Sequence, residues 1–382
     1  MKICYIHDFC FLKNSDNKYT AVGMPEKYFD RFFLSGVLSV SIISRNKNKN
    51  LESIRRTGFD KIVNDNIKIP IELPGYFYLL LPSVFFSICR EIRNSECLVI
   101  NFPSIIGIYI WIINLFINKQ YILEVAADET QFDTKKFGFI IKALLIKIFP
   151  VASKKASGII TVSNYLRNKY PNNNSVVASN VYIKHISKKK VLKFSLSEKE
   201  VVTLTFVGGV NKRKGVDTLI KAIKMLSDEG ISNIKLNIVG GHFDDSYIDI
   251  CKSLSINEIV TFHGLLKPEQ VESILNLTDL YIQPSVAEGI PRASLEAMAK
   301  SLPIIATDLP GFREILPKES IVPVSNVAKL ANKIKLFLHD VDICNYVIEH
   351  NLNLIQDFRE ENLNKIRIDF FKKTFGAVNE RL

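Results

Sequence analysis

Short apolar runs alternate with segments of helical periodicity along the chain, and the runs fall into two blocks. Helical or apolar segments separate successive runs, an order typical of parallel sheets with helices packed on them. We therefore predict an α/β fold with two doubly wound parallel sheets. The predicted strands of the first block are KICYIH, VLSVSII, CLVINF, YILEVAA and GIITVS. Those of the second block are VTLTFVGG, KLNIVGG, IVTFHG, LYIQPS, PIIATD and SIVPVS.

The stretch between the two blocks is polar, charged and poor in periodicity, which places a linker near residues 186–200. The chain has 382 residues, more than the roughly 250 to 300 at which single hydrophobic cores stop growing, so two domains are expected. We predict an N-terminal domain at residues 1–190 and a C-terminal domain at 191–365. Residues 366–382 are predicted to form a C-terminal helix that packs back on the N-terminal domain.

Cysteine spacing and the length of the apolar runs exclude several classes of protein. The six cysteines form no CxxC pair and have no metal-ligand spacing, so neither a zinc site nor a redox site is expected. The longest apolar runs, at residues 77–88 and 105–117, are shorter than the roughly 20 residues that span a bilayer. The start of the chain lacks an apolar signal core. These features favour a cytoplasmic protein with no membrane-spanning helix and no bound metal.

Positive charge is concentrated in the first half of the chain. Residues 1–190 contain 27 Lys and Arg against 14 Asp and Glu, a net charge of +13, and residues 191–382 contain 23 against 25, a net charge of −2; the sum is +11. Twelve basic residues and no acid lie between residues 134 and 190.

The same basic segment contains the amphipathic stretch KKFGFIIKALLIKIFPVASKK. A basic helix with an apolar face favours contact with anionic lipid at the inner face of a membrane. A solvated basic face is the alternative, and nucleic acid is not expected as a partner because no recognised nucleic-acid module accompanies the charge. The residues predicted to form the apolar face and its basic border are Phe139, Ile140, Leu144, Leu145 and Ile148, with Lys135, Lys136, Lys142 and Lys147.

Two acids, Glu288 and Glu296, flank a helix start in the stretch EGIPRASLEAMA. Pro291 suits the first helical position because it lacks the N–H that would otherwise be unpaired there. Glu288 would then lie in the loop before the helix, and Glu296 in its second turn. The free N–H groups of a first helical turn after a parallel strand suit a phosphate group. The alternative is that Glu296 merely pairs with residues four positions away, Arg292 and Lys300.

A second candidate phosphate site follows the predicted strand VTLTFVGG. Gly208 and Gly209 permit close backbone approach, and the basic residues of the following loop can neutralise a diphosphate. These basic residues are Lys212, Arg213 and Lys214. The spacing does not match a P-loop.

Four segments follow one another along the second half of the chain: FVGGVNKRKGVDTLIKAI, LNIVGG, VTFHGLLKPEQV and DLYIQPSVAEGIPRASLEAMAKSLPIIATDLPGFREIL. Taken in this order, they resemble the retaining glycosyltransferases with the GT-B fold that are called family 4. The resemblance covers most of residues 200–340, and the two acids fit the family's E-x7-E signature. It implies two Rossmann-like domains facing across a cleft.

The resemblance assigns a role to each matching residue. Glu296 would bind the ribose hydroxyls of a nucleotide-sugar donor, and Glu288 would contact the transferred sugar. The backbone amides of Gly289 and Ile290 would hold donor hydroxyls or phosphate. Lys214 would stabilise the leaving diphosphate.

The chain departs from the family pattern at one position of the phosphate site. Many members have Arg directly after the first glycine of the turn, where this chain has Gly209 after Gly208. A second basic contact to the diphosphate would then come from Lys212 or Arg213, or it would be absent.

The N-terminal half resembles the family only in outline. After the fourth predicted strand, Glu124 and Asp128 lie near a strand end where relatives often have His or Asp facing the reacting centre, and Asp128 is the candidate catalytic residue. Its alternative role is that of a helix cap or surface acid. In the first loop, Gly23 stands where relatives commonly have a glycine pair that contacts phosphate.

The resemblance implies a retaining, metal-independent glycosyltransferase that needs no cofactor and takes a UDP- or GDP-sugar as donor. Its acceptor would be a lipid-linked saccharide, on polyprenyl diphosphate, in the synthesis of a bacterial O-antigen, capsule or exopolysaccharide. Two alternatives are a GT-B epimerase or hydrolase that uses the same donor site, and a catalytically degenerate, membrane-associated interaction protein.

Overall fold

The computed structural model describes residues 1–13, 19–20, 24–48, 62–132, 138–241 and 246–379. The chain divides into two units, each with its own sheet and core. Unit 1 comprises residues 1–180 and 363–382, and unit 2 comprises residues 181–362.

Unit 1 is built on a sheet in the order β4-β3-β1-β5-β6-β7-β8, with β2 paired to β1. The pairing of β2 with β1 is antiparallel, and all other pairs in the described part of this sheet are parallel. The strands are β1 (Lys2–Lys13), β2 (Tyr19–Thr20), β3 (Ser39–Asn48), β4 (Ile67–Lys68), β5 (Cys97–Phe102), β6 (Tyr121–Val125), β7 (Gly158–Thr161) and β8 (Ser175–Val177). The helices are α1 (Asp30–Phe33), α2 (Pro82–Arg93), α3 (Ile105–Ile117), α4 (Gly138–Lys155) and α5 (Asn164–Lys169).

The five strands predicted for the first block are confirmed as β1, β3, β5, β6 and β7. Every residue of β5 and β6 is buried, as expected of central strands that helices cover on both faces. Strands β2, β4 and β8 have two or three residues each. Segments that short carry no readable periodicity, so the sequence did not predict them.

Unit 2 has an all-parallel sheet in the order β11-β10-β9-β12-β13-β14. The six strands predicted for the second block are all present. They are β9 (Val202–Val207), β10 (Ile234–Val239), β11 (Val260–Gly264), β12 (Leu280–Gln283), β13 (Ile304–Thr307) and β14 (Ile321–Val322). The helices are α6 (Val216–Asp228), α7 (Ser246–Ser253), α8 (Pro268–Asn276), α9 (Arg292–Ala299), α10 (Pro310–Ile315), α11 (Val327–His339) and α12 (Val341–Leu354).

The strand order of unit 2 contains one reversal. From β9 the chain adds β10 and β11 on one side, and then returns to add β12 on the other side of β9. Strands β9 and β12 are therefore neighbours whose connections run to opposite sides. Such a switch point opens a crevice at the carboxyl ends of the two strands, where ligands of doubly wound folds bind.

Two helix boundaries in unit 2 coincide with a proline and a glycine. Helix α8 begins at Pro268, and α6 ends ahead of Gly230, whose φ is +83°. The start of α9 is displaced by one residue, because Pro291 is its N-cap and Arg292 its first helical residue.

The last helix, α13 (Glu360–Asn379), returns the chain to unit 1. Its Phe371 is fully buried and packs on Phe32 of α1, with 4.9 Å between the ring centroids. Thr374 accepts a hydrogen bond of 2.9 Å from Asn174. The core of unit 1 therefore includes residues from both ends of the chain.

No helix within these described ranges combines the length and the apolarity needed to span a bilayer.

Candidate functional site

Two loops meet at the switch point of unit 2, one after β9 and one after β12. The backbone N–H of Val286 donates to the carbonyl oxygen of Arg213 at 2.8 Å. The Arg213 guanidinium in turn donates to the carbonyl oxygen of Ala287 at 3.0 Å. The basic loop and the acidic loop that the sequence predicted separately are thus joined at the carboxyl edge of one sheet.

Gly215 allows the two loops to come this close. It is the N-cap of α6 and has φ of +72°, a conformation that residues with a Cβ rarely adopt. A Cβ at this position would lie 1.7 Å from the carbonyl oxygen of Pro284. Glycine is therefore required here both by the backbone conformation and by the contact.

Glu288 lies in the loop before α9, as predicted, and its carboxylate faces the basic loop. Lys214 donates a hydrogen bond to Glu288 Oε1 and forms an ion pair with it. Arg213 Nη1 lies 3.9 Å from Glu288 Oε2. The side chain of Glu288 is 9% exposed and that of Lys214 16%, whereas Arg213 is mostly exposed. Glu288 and Lys214 thus form a largely buried pair at the mouth of the crevice.

A chain of buried polar side chains leads from β12 to Glu288. Tyr281 donates a hydrogen bond to Gln283 Oε1 at 2.5 Å, and Gln283 Nε2 donates to Ser285 Oγ at 3.1 Å. Ser285 donates to Glu288 Oε1 at 3.0 Å. These three residues were not predicted from the sequence. The sequence feature that could have indicated them is the predicted strand LYIQPS, which has polar side chains at alternate positions within an otherwise apolar run.

Glu296 lies in α9 and is half-buried. Burial raises the pKa of its carboxyl group; the nearby Arg292 lowers it to a smaller extent, and Glu272 raises it. Lys300, one of the two partners considered for Glu296, instead pairs with Glu272 at 2.5 Å. Burial also raises the pKa of the Tyr281 hydroxyl, and the charges of Glu296 and Glu288 add to this shift. Both acids therefore lie close enough to Tyr281 to affect it.

The glycine pair after β9 forms a narrow turn against the loop after β10. Gly208 N–H donates to the Val239 carbonyl oxygen at 2.8 Å. A Cβ on Gly240 would come within 1.8 Å of the Gly208 carbonyl oxygen. At Gly209 the space is larger, because a Cβ there would meet the Asn211 amide nitrogen at 3.1 Å and the Gly241 carbonyl oxygen only at 4.0 Å.

The predicted amide site at Gly289 and Ile290 lies directly before α9. The carbonyl oxygen of Gly289 packs against Gly311 at the start of α10, where a Cβ would lie 2.0 Å from it. Ile290 is partly buried against the core of unit 2. These contacts hold the loop against α10 and the core of unit 2.

Asp128 belongs to unit 1, where it accepts hydrogen bonds from Lys169 at 2.7 Å and from Tyr165 at 3.0 Å. Burial raises the pKa of Asp128, but the hydrogen bonds from Lys169 and Thr130 outweigh it and hold the pKa below its usual value. The carboxylate is therefore charged at neutral pH and occupied by partners from α5 and its own loop.

Glu124, the second acid of that segment, is the centre of a buried cluster in unit 1. It forms an ion pair with Arg31 at 2.9 Å, and both side chains are less than 10% exposed. Tyr5 and Tyr28 donate hydrogen bonds to Glu124 Oε2 at 3.2 and 3.1 Å. The cluster links β1 and β6 to α1 and its approach segment, a connection that sequence spacing cannot reveal.

The irregular part of β1, where the pairing with β3 shifts between Ile6 and Cys10, was also not predicted from the sequence. Asp8 accepts hydrogen bonds from the first amides of α3, at Ile105 and Ile106, at 2.7 and 2.8 Å. Burial, with smaller contributions from nearby arginines, lowers the pKa of His7 to about 4. His7 is therefore neutral at pH 7.

Two further predictions concern metal ions and the first loop. The described residues contain no group of three or more His, Cys, Asp or Glu side chains that could hold a metal ion. Gly23, the predicted phosphate contact in the first loop, lies outside the described residues, as do Lys135 and Lys136 of the basic segment.

Comparisons with known proteins agree with this architecture. Residues 187–353 match the family model described as Glycosyl transferases group 1. The chain is 29% identical over 382 residues to Protein CapJ of Staphylococcus aureus, and the match covers 97% of this chain and 94% of CapJ. It is 25% identical over 171 residues, 42% of each chain, to the putative colanic acid biosynthesis glycosyltransferase WcaL of Escherichia coli K12.

Among solved structures, Anabaena HepE in complex with UDP-glucose matches with a TM-score of 0.65 and 14% identity, over 98% of this chain and 100% of HepE. At this identity the likeness concerns the fold, and it confirms the predicted fold class. The two parallel-sheet α/β units, the group 1 domain and these relatives together support a glycosyltransferase with the GT-B fold.

Proposed function

We propose that this protein transfers a sugar from a nucleotide-diphosphate donor to a lipid-linked saccharide, with retention at the anomeric carbon, as family 4 enzymes do. The observation that carries the proposal is the meeting of Glu288, Lys214 and Arg213 at the switch point of unit 2. Two cations beside an acid, at the N-terminus of α6, suit a ligand that combines a diphosphate with a hydroxyl-rich sugar.

A nucleotide sugar fits the remaining groups of this crevice. Glu296 provides a half-buried carboxylate that can accept hydrogen bonds from two ribose hydroxyls, while Glu288 contacts the sugar. The solved complex of HepE contains UDP-glucose, which supports a nucleotide sugar as the donor here. We take UDP- or GDP-sugars as the donor class.

The proposed mechanism places developing negative charge where the protein has fixed positive charge. As the sugar–phosphate bond breaks, the diphosphate gains charge beside Lys214 and the first turn of α6, whose amides form the positive end of the helix dipole. The acceptor hydroxyl attacks the same face of the sugar that the diphosphate leaves. Because these groups stabilise the leaving diphosphate, transfer should persist in EDTA.

The roles of the two acids can be separated by measurement. Glu296→Ala should weaken the binding of free UDP and of the donor alike, because it removes the ribose contact. Glu288→Ala should leave UDP affinity within about twofold and lower turnover about a hundredfold or more, since its contact is with the sugar. Equal UDP affinities in the two variants, together with near-normal rates, would contradict the assignment. Release of free sugar without acceptor would indicate a hydrolase.

The acceptor side of the proposal rests on a surface of unit 1. Buried residues of helices α2, α3 and α4 belong to one core cluster of unit 1. Tyr109 of α3 donates to the Leu79 carbonyl oxygen ahead of α2 at 2.7 Å, and Tyr121 connects Trp111 of α3 to the Ala152 carbonyl oxygen of α4. We call the apolar residues exposed by these three helices and by residues 76–80 ahead of α2 the helix-layer patch. They include Phe77, Leu80, Phe86, Leu115, Phe116, Phe139, Ile140 and Ile146.

The composition of the helix-layer patch favours an anionic membrane. Phe116 is 88% exposed and Phe77 is 74% exposed. Exposing such large apolar side chains to water is unfavourable, whereas a bilayer interface accommodates them. Helices α3 and α4 contain no acidic residue, and α4 contributes Lys142, Lys147, Lys154 and Lys155. The predicted apolar face needs two corrections, because Leu145 is fully buried in the core of unit 1 and Ile148 is partly buried against that core.

Vesicle flotation tests this membrane contact. Wild-type protein should float with vesicles that contain phosphatidylglycerol, and it should be released as salt shortens the Debye length. Replacing Leu80, Phe86 and Phe116 with Ser should reduce flotation and transfer to a lipid-linked acceptor without changing UDP affinity. Leu265→Ser with Leu277→Ser, at exposed positions of unit 2, is the matched control. Equal flotation of all proteins would exclude the helix-layer patch as the membrane contact.

We assign the pathway to a bacterial surface polysaccharide. Support comes from WcaL, whose name describes colanic acid biosynthesis, and from the membrane-facing surface proposed above.

A further inference from the structure

Three polar side chains line one face of a strand that is buried on both sides. Tyr281, Gln283 and Ser285 occupy alternate positions along β12 and just beyond it, and alternate positions of a strand point to the same face. All three are fully buried. Burying a polar group is costly unless it has a hydrogen-bond partner. These groups find partners in one another and finally in Glu288.

The hydrogen bonds of this chain run in one direction. Gln283 accepts from Tyr281 through its amide oxygen, which leaves its amide nitrogen to donate to Ser285. Ser285 donates in turn to Glu288 Oε1, and Lys214 donates to the same oxygen. Ser285 and Lys214 therefore hold one carboxylate oxygen between them.

Donor binding would change this arrangement. A diphosphate carries more negative charge than a single carboxylate, so it competes with Glu288 for the ammonium group of Lys214. Once Lys214 turns to the diphosphate, the Ser285 hydroxyl is the close donor that still holds Glu288. Arg213 is farther from the carboxylate, at 3.9 Å, and more exposed to solvent.

We infer that Gln283 and Ser285 are positioning residues that keep Glu288 in place while Lys214 moves from Glu288 to the donor diphosphate. This inference rests on the proposed function. It explains why one face of β12 is polar, and it specifies that Lys214 exchanges Glu288 for the donor diphosphate.

Steady-state kinetics with a nucleotide sugar provide the first test. Ser285→Ala should lower kcat about tenfold to a hundredfold, the usual cost of losing one hydrogen bond to a charged group, and leave UDP affinity within about twofold. Ser285→Cys, with a weak S–H donor, should give an intermediate kcat. The matched control is Ser320→Ala, which removes another fully buried serine hydroxyl of unit 2 and should change neither quantity.

A second measurement does not depend on activity. Reductive methylation with ¹³C-formaldehyde keeps the charge of lysines and makes each visible by NMR, and Lys214→Arg identifies the signal of Lys214. In donor-free protein, Ser285→Ala should shift that signal because the partner carboxylate loses its anchor, and Ser320→Ala should not. An unchanged Lys214 signal, or a kcat within twofold of the wild type, would overturn the inference. If no nucleotide sugar is turned over, the proposed function fails, and the NMR comparison still decides the positioning role.

Discussion

Gly209 is the residue at which the predicted phosphate site differs from the pattern of the family that the sequence resembles, and its surroundings leave room for a side chain. Its backbone is not left-handed, so the conformation does not require glycine. A Cβ would meet only the end of the Asn211 side chain closely, at 3.1 Å. The position can therefore accept a side chain, in contrast to Gly215.

Gly209→Arg should tighten UDP binding about threefold to tenfold, because it adds a second guanidinium beside the proposed diphosphate position. Isothermal titration with UDP measures the effect. Gly209→Ala, which adds the Cβ without the charge, should stay within about twofold of the wild type. Equal affinities for the Arg and Ala variants would place the diphosphate elsewhere.

Glu296 gives the site a pH dependence whose sign follows from its environment. Because burial raises its pKa above the ordinary value, the carboxylate gains a proton at a higher pH than an exposed Glu does as the solution is acidified. The protonated form is the weaker acceptor for ribose hydroxyls.

The UDP affinity of the wild type should therefore exceed that of Glu296→Gln at pH 7, and the difference should shrink as the pH falls, with its midpoint above the ordinary value for Glu of about 4.3. Titration calorimetry of both proteins over this range isolates the contribution of Glu296, since the protonation of UDP itself affects both equally. A difference that is constant with pH would argue against a ribose contact through the carboxylate.

At the scale of elements, the site depends on how closely the loops after β9 and β12 approach each other. Gly215 lies at the contact between these two loops. Gly230, just after the other end of α6, provides a matched comparison. Both have positive φ, +72° and +83°, but a Cβ at Gly230 would meet nothing within 4 Å.

Gly230→Ala should destabilise the protein by about 1 to 2 kcal/mol, the cost of a left-handed conformation for a residue with a Cβ. Gly215→Ala should cost clearly more, since its Cβ also meets Pro284, and it alone should weaken UDP binding. Thermal unfolding with and without UDP distinguishes the two effects. If both variants lose the same stability and keep their UDP affinity, the two loops do not need this contact.

At the scale of the whole molecule, helix α13 near the C-terminus packs into the core of unit 1. Phe371 of α13 is fully buried and packs on Phe32, 339 positions earlier in the sequence. Phe337, in α11, is equally buried but belongs to the core of unit 2.

Phe371→Ala should destabilise unit 1 by about 3 to 5 kcal/mol, the usual cost of removing a buried aromatic side chain. Hydrogen exchange measured by mass spectrometry should then speed up in β1 and α1, although the substitution lies near the C-terminus. Phe337→Ala should instead speed up exchange in β9 and α6. Faster exchange confined to α13 itself would show that the helix is not part of the core of unit 1.

The sequence by itself determined eleven of the fourteen strands that the described residues form, and the order in which the candidate site residues follow one another along the chain. These eleven strands could be predicted because strands buried in a parallel sheet are continuous apolar runs in the sequence. The placement of Glu288 before a helix followed from Pro291 and the periodicity after it. These features are local, since each depends on residues a few positions apart, so the sequence contains the information directly.

Only the tertiary structure decided which of these segments meet. The pairing of Lys214 with Glu288, 74 positions apart, depends on β9 and β12 becoming neighbours, which local patterns do not encode. The buried chain through Gln283 and Ser285, and the Glu124–Arg31 cluster, were missed for the same reason. Apolar periodicity predicts that a strand is buried, but it does not identify the hydrogen-bond partner of a buried polar group. Leaving such a group unpaired is unfavourable, so it bonds to whichever residue the packing of the fold brings near.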